Sequence, residues 1–77
     1  MNVKISPLQG TKYVAIGKES GNEEMFETLK MAKEMLRSWK VFDTEKGFVD
    51  KYEIEKRIYK NGRLIKSEVI YEDIETL

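Results

Sequence analysis

Hydrophobic residues recur in the middle of the chain at the spacing of an α-helix. They lie four and three residues apart, which places them on one stripe of a helix. The stripe consists of Met25, Leu29, Ala32, Leu36 and Trp39. Ser20 and Glu23 fit a capping box that would start the helix, with Asn22 as a competing cap. No Gly or Pro follows the stripe at once, so we place the helix end at residues 37–40.

The segments on either side of this helix have the composition of short strands. Residues 3–5 and 11–17 are predicted strands joined by a turn that contains Pro7 and Gly10. Residues 40–43 either form a strand or extend the helix. In the first case Asp43 opens a turn, Gly47 closes it with a positive φ, and another strand follows.

The last third of the chain predicts a long β-hairpin. Asn61-Gly62 is the preferred pair for a two-residue type I′ loop, which would place Lys60 opposite Arg63. The pairs below it would be Ile58 with Ile65, Ile54 with Val69, and Tyr52 with Tyr71. Because side chains alternate along a strand, these six share one face. We therefore expect Ile54, Ile58, Ile65 and Val69 to be buried together against the helix stripe.

These elements predict a single α+β domain over residues 1–77. Its order would be β-β-α-β-β-β, with one helix packed on one face of a mostly antiparallel sheet of four to five strands. This layout resembles that of many short proteins of phages and mobile elements.

The composition argues against several classes of function. The chain has no Cys and no His, so disulfides, thiolate metal sites and the commonest general base are all missing. We therefore expect no enzymatic activity, no cofactor and no metal. The N-terminus has no apolar signal region, and no apolar run is long enough for a membrane span, so we expect a cytoplasmic protein that does not contact membranes.

Two motifs resemble ligand-binding loops and fail on their spacing. Gly17-Lys18 lies between a strand and a helical pattern, as in a phosphate-binding loop, but Lys12 and Glu19 stand where that loop needs Gly and Ser or Thr. We therefore interpret Gly17 as part of a turn and Lys18 as a solvent-exposed side chain. The sequence from Asp43 resembles a calcium loop, but Ile54 occupies the position of the required glutamate.

Two surfaces remain as candidates for binding another protein. The first is the hairpin tip, which carries five basic residues and an apolar pair; these are Lys56, Arg57, Lys60, Arg63 and Lys66, with Tyr59 and Leu64. Lysines there also simply discourage edge-to-edge pairing. The second is the helix flank at Met31 and Met35, where flexible side chains suit an adaptable interface, including that of a homodimer.

The expected function is that of a small accessory or regulatory protein-binding module. The alternative is a nucleic-acid-binding protein that uses the basic hairpin of residues 56–66, with phosphate contacts from the cations and stacking on Tyr59. The formal net charge of zero disfavours that alternative.

Overall fold

A computed structural model of the chain describes residues 8–73. It contains strands β1 (Gly10–Gly17) and β2 (Asn22–Phe26), helix α1 (Leu29–Glu45), and strands β3 (Tyr52–Lys60) and β4 (Arg63–Asp73). The strands form one antiparallel sheet in the order β2-β1-β3-β4. The α+β class and the single helix on a sheet are confirmed. The described residues contain four strands in the order β-β-α-β-β, and the predicted strand at 3–5 lies outside them.

The segment that was predicted to start the helix forms β2 instead. Its residues pair with β1, so that Met25 lies opposite Val14. Gly21 has a φ of +82° and donates its N–H to the Gly17 carbonyl at 2.8 Å, which reverses the chain between the two strands. The prediction of a capping box at Ser20 was wrong, because pairing with β1 satisfies the backbone groups that a helix would otherwise use.

Helix α1 begins after Thr28, whose hydroxyl accepts the N–H of Met31 at 3.2 Å and so acts as the N-cap. It continues to Glu45, so residues 40–43 extend the helix and do not form a strand. The predicted end at residues 37–40 was therefore too early.

Gly47 ends the helix. Its φ is +76°, and its N–H donates to the Thr44 carbonyl at 3.0 Å, while the N–H of Phe48 donates to the Asp43 carbonyl at 2.8 Å. These two bonds are those of a Schellman motif, which needs a residue that accepts a left-handed backbone. The prediction of a positive φ at Gly47 is confirmed, in a helix terminus rather than a hairpin turn.

The core lies between α1 and the central strands. Its buried residues are Ala15, Ala32, Leu36, Tyr52 and Ile54, and half-buried Tyr13, Phe26, Leu29, Met35, Trp39 and Tyr71 pack around them. We call the side of the sheet that carries Ala15 and Ile54 the helix face, and the other side the open face. Among residues 8–73, α1 packs over β1, β2 and β3. It reaches β4 through Lys33, whose ammonium lies 4.9 Å from the centroid of the Tyr71 ring.

The register of the β3–β4 hairpin differs from the predicted one below its tip. Lys60 lies opposite Arg63 and Tyr59 opposite Leu64, as the turn requires. The register then skips Ile65, and later Ile70, so that β4 has two β-bulges. The observed pairs are Ile58 with Lys66, Ile54 with Tyr71, and Tyr52 with Asp73.

The bulges also change which side chains are buried. Ile54 is fully buried and Ile58 is half-buried, but Ile65 and Val69 are exposed. The expected cluster of four buried residues was therefore wrong. Each extra residue moves the rest of the strand by one position, and alternating polarity alone does not reveal where such a residue lies.

Candidate functional site

The tip of the β3–β4 hairpin projects past the start of the helix. Phe26, the last residue of β2, lies in the same row of the sheet as Tyr13 and Lys56. Residues 58–66 of the hairpin therefore extend beyond the end of β2. We call residues 58–66 the arm. The molecule measures 47 × 30 × 20 Å, in keeping with this projection.

The turn of the arm has the geometry that its sequence predicts. Asn61 and Gly62 have φ values of +52° and +82°, as a type I′ loop requires at both positions. The Gly62 N–H donates to the Leu8 carbonyl at 2.8 Å, and the Asn61 N–H donates to the side-chain oxygen of Gln9. The segment before β1 therefore holds the tip in place.

Strand β4 presents an apolar edge. It is the outer strand of the sheet formed by residues 8–73, on the side away from β2. Four of its aliphatic side chains are substantially exposed: Leu64 at 46%, Ile65 at 56%, Val69 at 44% and Ile70 at 37%. An edge strand of this kind offers backbone N–H and C=O groups together with apolar side chains, which suits pairing with another strand. We call residues 63–71 the β4 edge.

The basic residues of the predicted surface separate onto two faces. Side chains alternate along β3, so those on the same side as Ile54 lie on the helix face. With their β4 neighbours, the cations on this face are Lys56, Lys60, Arg63 and Lys66. Lys60, Arg63 and Lys66 are exposed, whereas Lys56 is half-buried opposite Glu68.

Arg57 lies on the open face and is engaged within the protein. Its Nε is 2.6 Å from the Glu55 carboxylate, and a terminal nitrogen is 3.8 Å from Glu23 on β2. Burial alone would lower the pKa of Arg57, but Glu55 and the Tyr59 hydroxyl raise it. Since β1 lies between β3 and β2, the Arg57 side chain crosses β1, where Val14 is only 2% exposed. Arg57 therefore covers the open face, whereas Lys60, Arg63 and Lys66 are exposed on the helix face.

The other predicted binding residues divide in the same way. Tyr59 is half-buried on the open face beside Leu64, and its hydroxyl bonds to Arg57. On the helix, Met35 packs against the core, while Met31 is 46% exposed. Met31 and Leu64 are thus the more accessible apolar members of the predicted set.

A group of exposed apolar residues at the end of α1 was missed. Val41 and Phe42 lie in the last turns of the helix, and Phe48 and Val49 follow it, all exposed. A shallow pocket of about 160 Å³ opens beside them, lined in part by Phe48, Val49 and Tyr52. The available signal was the two apolar pairs on either side of Gly47, Val41-Phe42 and Phe48-Val49, but these pairs also fit two strands joined by a turn.

The Gly17-Lys18 loop does hold an anion, and that anion belongs to the protein. The buried carboxylate of Asp50 accepts the backbone N–H groups of Glu19 at 2.6 Å, Ser20 at 3.3 Å and Lys51 at 2.7 Å. Burial would raise the pKa of Asp50, but these bonds and the Ser20 hydroxyl outweigh it and lower the pKa. A Cβ on Gly17 would lie 2.7 Å from the Asp50 carboxylate, so glycine is needed there for close approach.

This internal carboxylate argues against a phosphate site at the loop. The backbone donors that would bind the phosphate are already occupied, and Lys18 is exposed, 3.6 Å from Glu53. The interpretation of the loop as a turn is supported at Gly21, which has the positive φ.

Neither a metal centre nor a membrane-crossing helix is found among the residues that the structure describes. No three Asp or Glu side chains in that part of the chain are placed to hold a metal ion. The helix there lacks the length and the apolar run that crossing a membrane requires. Comparisons with known protein families, with curated protein sequences and with solved structures find no match to this chain.

Proposed function

We propose that this protein is a small non-enzymatic protein-binding module, with an accessory or regulatory role, that binds another polypeptide along the β4 edge. The observation that carries the proposal is the exposure of Leu64, Ile65, Val69 and Ile70 on an outer strand of the sheet. Strand addition uses such an edge, with backbone hydrogen bonds for affinity and side chains for specificity.

The chemistry of the remaining residues supports binding rather than catalysis. The chain has no His or Cys, and the most buried described carboxylate, that of Asp50, is occupied by backbone donors. The other buried carboxylate, that of Glu53, lies 3.6 Å from the Lys18 ammonium. A general base needs a free pair of electrons near a substrate and a pKa close to the working pH. Asp50 has neither property, because its pKa is lowered and its oxygens already accept hydrogen bonds.

The size of the exposed surface indicates a moderate affinity. Fully burying an aliphatic side chain contributes about 1.5–3 kcal/mol, so these roughly half-exposed residues would each add about 1 kcal/mol. Association itself costs about 4–15 kcal/mol. Four such side chains therefore offset only the low end of that cost, and backbone hydrogen bonds of about 0.5–1.5 kcal/mol each must supply the rest.

Site-specific photo-crosslinking in the source cell tests the proposal. We expect a photo-reactive amino acid in place of Val69, on the β4 edge, to give a discrete covalent adduct with a polypeptide. The same residue in place of Arg37, exposed on α1, is the matched control and should give none. Equal labelling at the two positions, or no adduct at Val69, would contradict binding through β4.

A second candidate function, nucleic-acid binding, is favoured by one observation. Lys56, Lys60, Arg63 and Lys66 share the helix face of the hairpin, where they could follow a phosphate backbone. With at most four phosphate contacts, the slope of log K against log salt would be no steeper than about −3.6 on duplex DNA. The zero formal net charge and the internal pairing of Arg57 argue against it.

Fluorescence anisotropy with random DNA and RNA oligonucleotides separates the two functions. We expect no binding tighter than about 10⁻⁴ M at physiological salt, the weak end of non-specific affinity. Micromolar binding that is lost in the variant Lys60→Glu/Arg63→Glu, with unchanged thermal melting, would instead establish the second function.

A further inference from the structure

The sequence of the β4 edge is self-complementary about Ser67. From Leu64 to Ile70, residues at equal distances on the two sides of Ser67 are of opposite charge or are both aliphatic. These pairs are Lys66 and Glu68, Ile65 and Val69, and Leu64 and Ile70. Arg63 and Tyr71, the outermost pair of the β4 edge, do not follow this pattern. A strand with this symmetry is suited to pairing with a copy of itself.

We infer that the polypeptide bound by β4 is a second copy of this chain, paired antiparallel with Ser67 opposite Ser67; this inference rests on the proposed function. A two-fold axis at Ser67 makes the contact isologous, so each pair occurs twice. Lys66 of each copy then faces Glu68 of the other, and both of these pairs lie within residues 66–69, where β4 has no bulge. The four-stranded sheet would continue across the axis into its copy, with both helices on the same side.

Other arrangements of the same two strands are disfavoured by charge. Moving the two-fold axis to Lys66 places Leu64 opposite Glu68. Moving it to Glu68 places Lys66 opposite Ile70. The axis at Ser67 alone among these matches charge with charge and aliphatic with aliphatic.

The bulges of β4 leave the centre of this pairing regular. The register skips Ile65 and Ile70, and between them residues 66–69 continue as an uninterrupted strand. Bulges near the ends of an edge strand limit how far another strand can pair with it. The contact is therefore short, which indicates a weak dimer that forms only at high protein concentration.

Sedimentation equilibrium of purified protein up to about 1 mM, with charge variants, tests this register. The wild type should dimerise. Lys66→Glu places a carboxylate opposite each Glu68 and should weaken the dimer by about tenfold or more. The double variant Lys66→Glu/Glu68→Lys restores opposite charges and should recover the affinity to within about threefold. A double variant as weak as the single one would overturn the proposed register.

A disulfide test is independent of these charge changes. The chain has no Cys, so Ser67→Cys introduces a single thiol. Directly opposite residues in an antiparallel pair have Cα atoms about 4.5–5.5 Å apart, within the disulfide range of about 4.4–6.8 Å. Ser67→Cys should therefore form a covalent dimer under mild oxidation at least about tenfold faster than Ser38→Cys, a matched control exposed on α1.

The two experiments distinguish this inference from the function on which it rests. A wild type that stays monomeric at 1 mM, with equal oxidation rates for both cysteine variants, would overturn the second copy as partner. A Val69 photo-adduct with a different protein would then still support binding through β4. Absence of any Val69 adduct, together with a monomeric protein, would remove both.

Discussion

Replacing Ile54 by Ala will destabilise the protein by about 2–5 kcal/mol, the range for truncating a packed aliphatic side chain. Ile54 is 0% exposed and lies in the core with Ala15, Ala32 and Leu36. In a domain of this size, each kcal/mol lowers the melting temperature by about 4–8 °C. We therefore expect the melting temperature measured by circular dichroism to fall by at least about 8 °C, or the variant not to fold.

Ile65→Ala is the matched control for this change. It removes the same atoms from a residue that is 56% exposed on β4, so we expect a loss of less than about 1 kcal/mol. The comparison also tests the register, because the regular hairpin predicted from the sequence would bury both residues. Equal losses at the two positions would contradict the observed bulges.

Replacing Asp50 by Ala should cost at least about 1.5–3 kcal/mol, the contribution of a hydrogen bond to a charged group. The change leaves the backbone N–H groups of Glu19, Ser20 and Lys51 without their acceptor in a site where Asp50 is 2% exposed. Urea denaturation at pH 7 measures the loss. Glu34→Gln, which removes an exposed carboxylate on α1, should stay within about 0.5 kcal/mol of the wild type.

The cost of Asp50→Ala should depend on pH with a definite sign. The pKa of Asp50 is lower in the folded protein than in the unfolded chain, where it is about 3.9. Its stabilisation is therefore complete well above pH 3.9 and is lost as the pH falls through the folded-state pKa. Urea denaturation at pH 7 and near pH 2.5 should show the difference between wild type and variant shrinking in acid. If the difference in the free energy of unfolding were the same at both pH values, the charge of the Asp50 carboxylate would not be what stabilises the loop.

The parts of the fold that local chemistry specifies could be predicted from the sequence. The Asn61-Gly62 turn needs two positive φ values, and few residue pairs accept them. Strand β1 and the helical stripe from Leu29 to Trp39 follow from side-chain periodicity over many residues. Each of these signals is contained within one element.

The errors came from features that depend on more than one element. Met25 fits both a helix at spacing four from Leu29 and a strand in which it alternates with Glu24, and pairing with Val14 of β1 selects the strand. The bulges at Ile65 and Ile70 are features of the pairing between β4 and β3, which neither strand shows alone. The Asp50 carboxylate bonds to backbone 31 residues away, so no local motif contains that contact.

The geometry of the candidate site also depends on more than one element. Its basic residues lie in the β3–β4 hairpin, and the alternation of side chains places Lys56 and Arg57 on opposite faces of it. The contact of Arg57 with Glu23 could not be predicted without knowing that residues 22–26 form a strand and that this strand lies beyond β1.

The uncovered outer strand has a consequence for how this protein can evolve. Helix α1 packs over β1, β2 and β3, while Leu64, Ile65, Val69 and Ile70 on β4 lie largely outside the core. Substitutions at such exposed positions usually change stability by no more than about 0.5 kcal/mol. The residues that would select a partner are thus separate from those that hold the fold. Related proteins could therefore change their binding partner through substitutions in β4 alone, without first acquiring a more stable core.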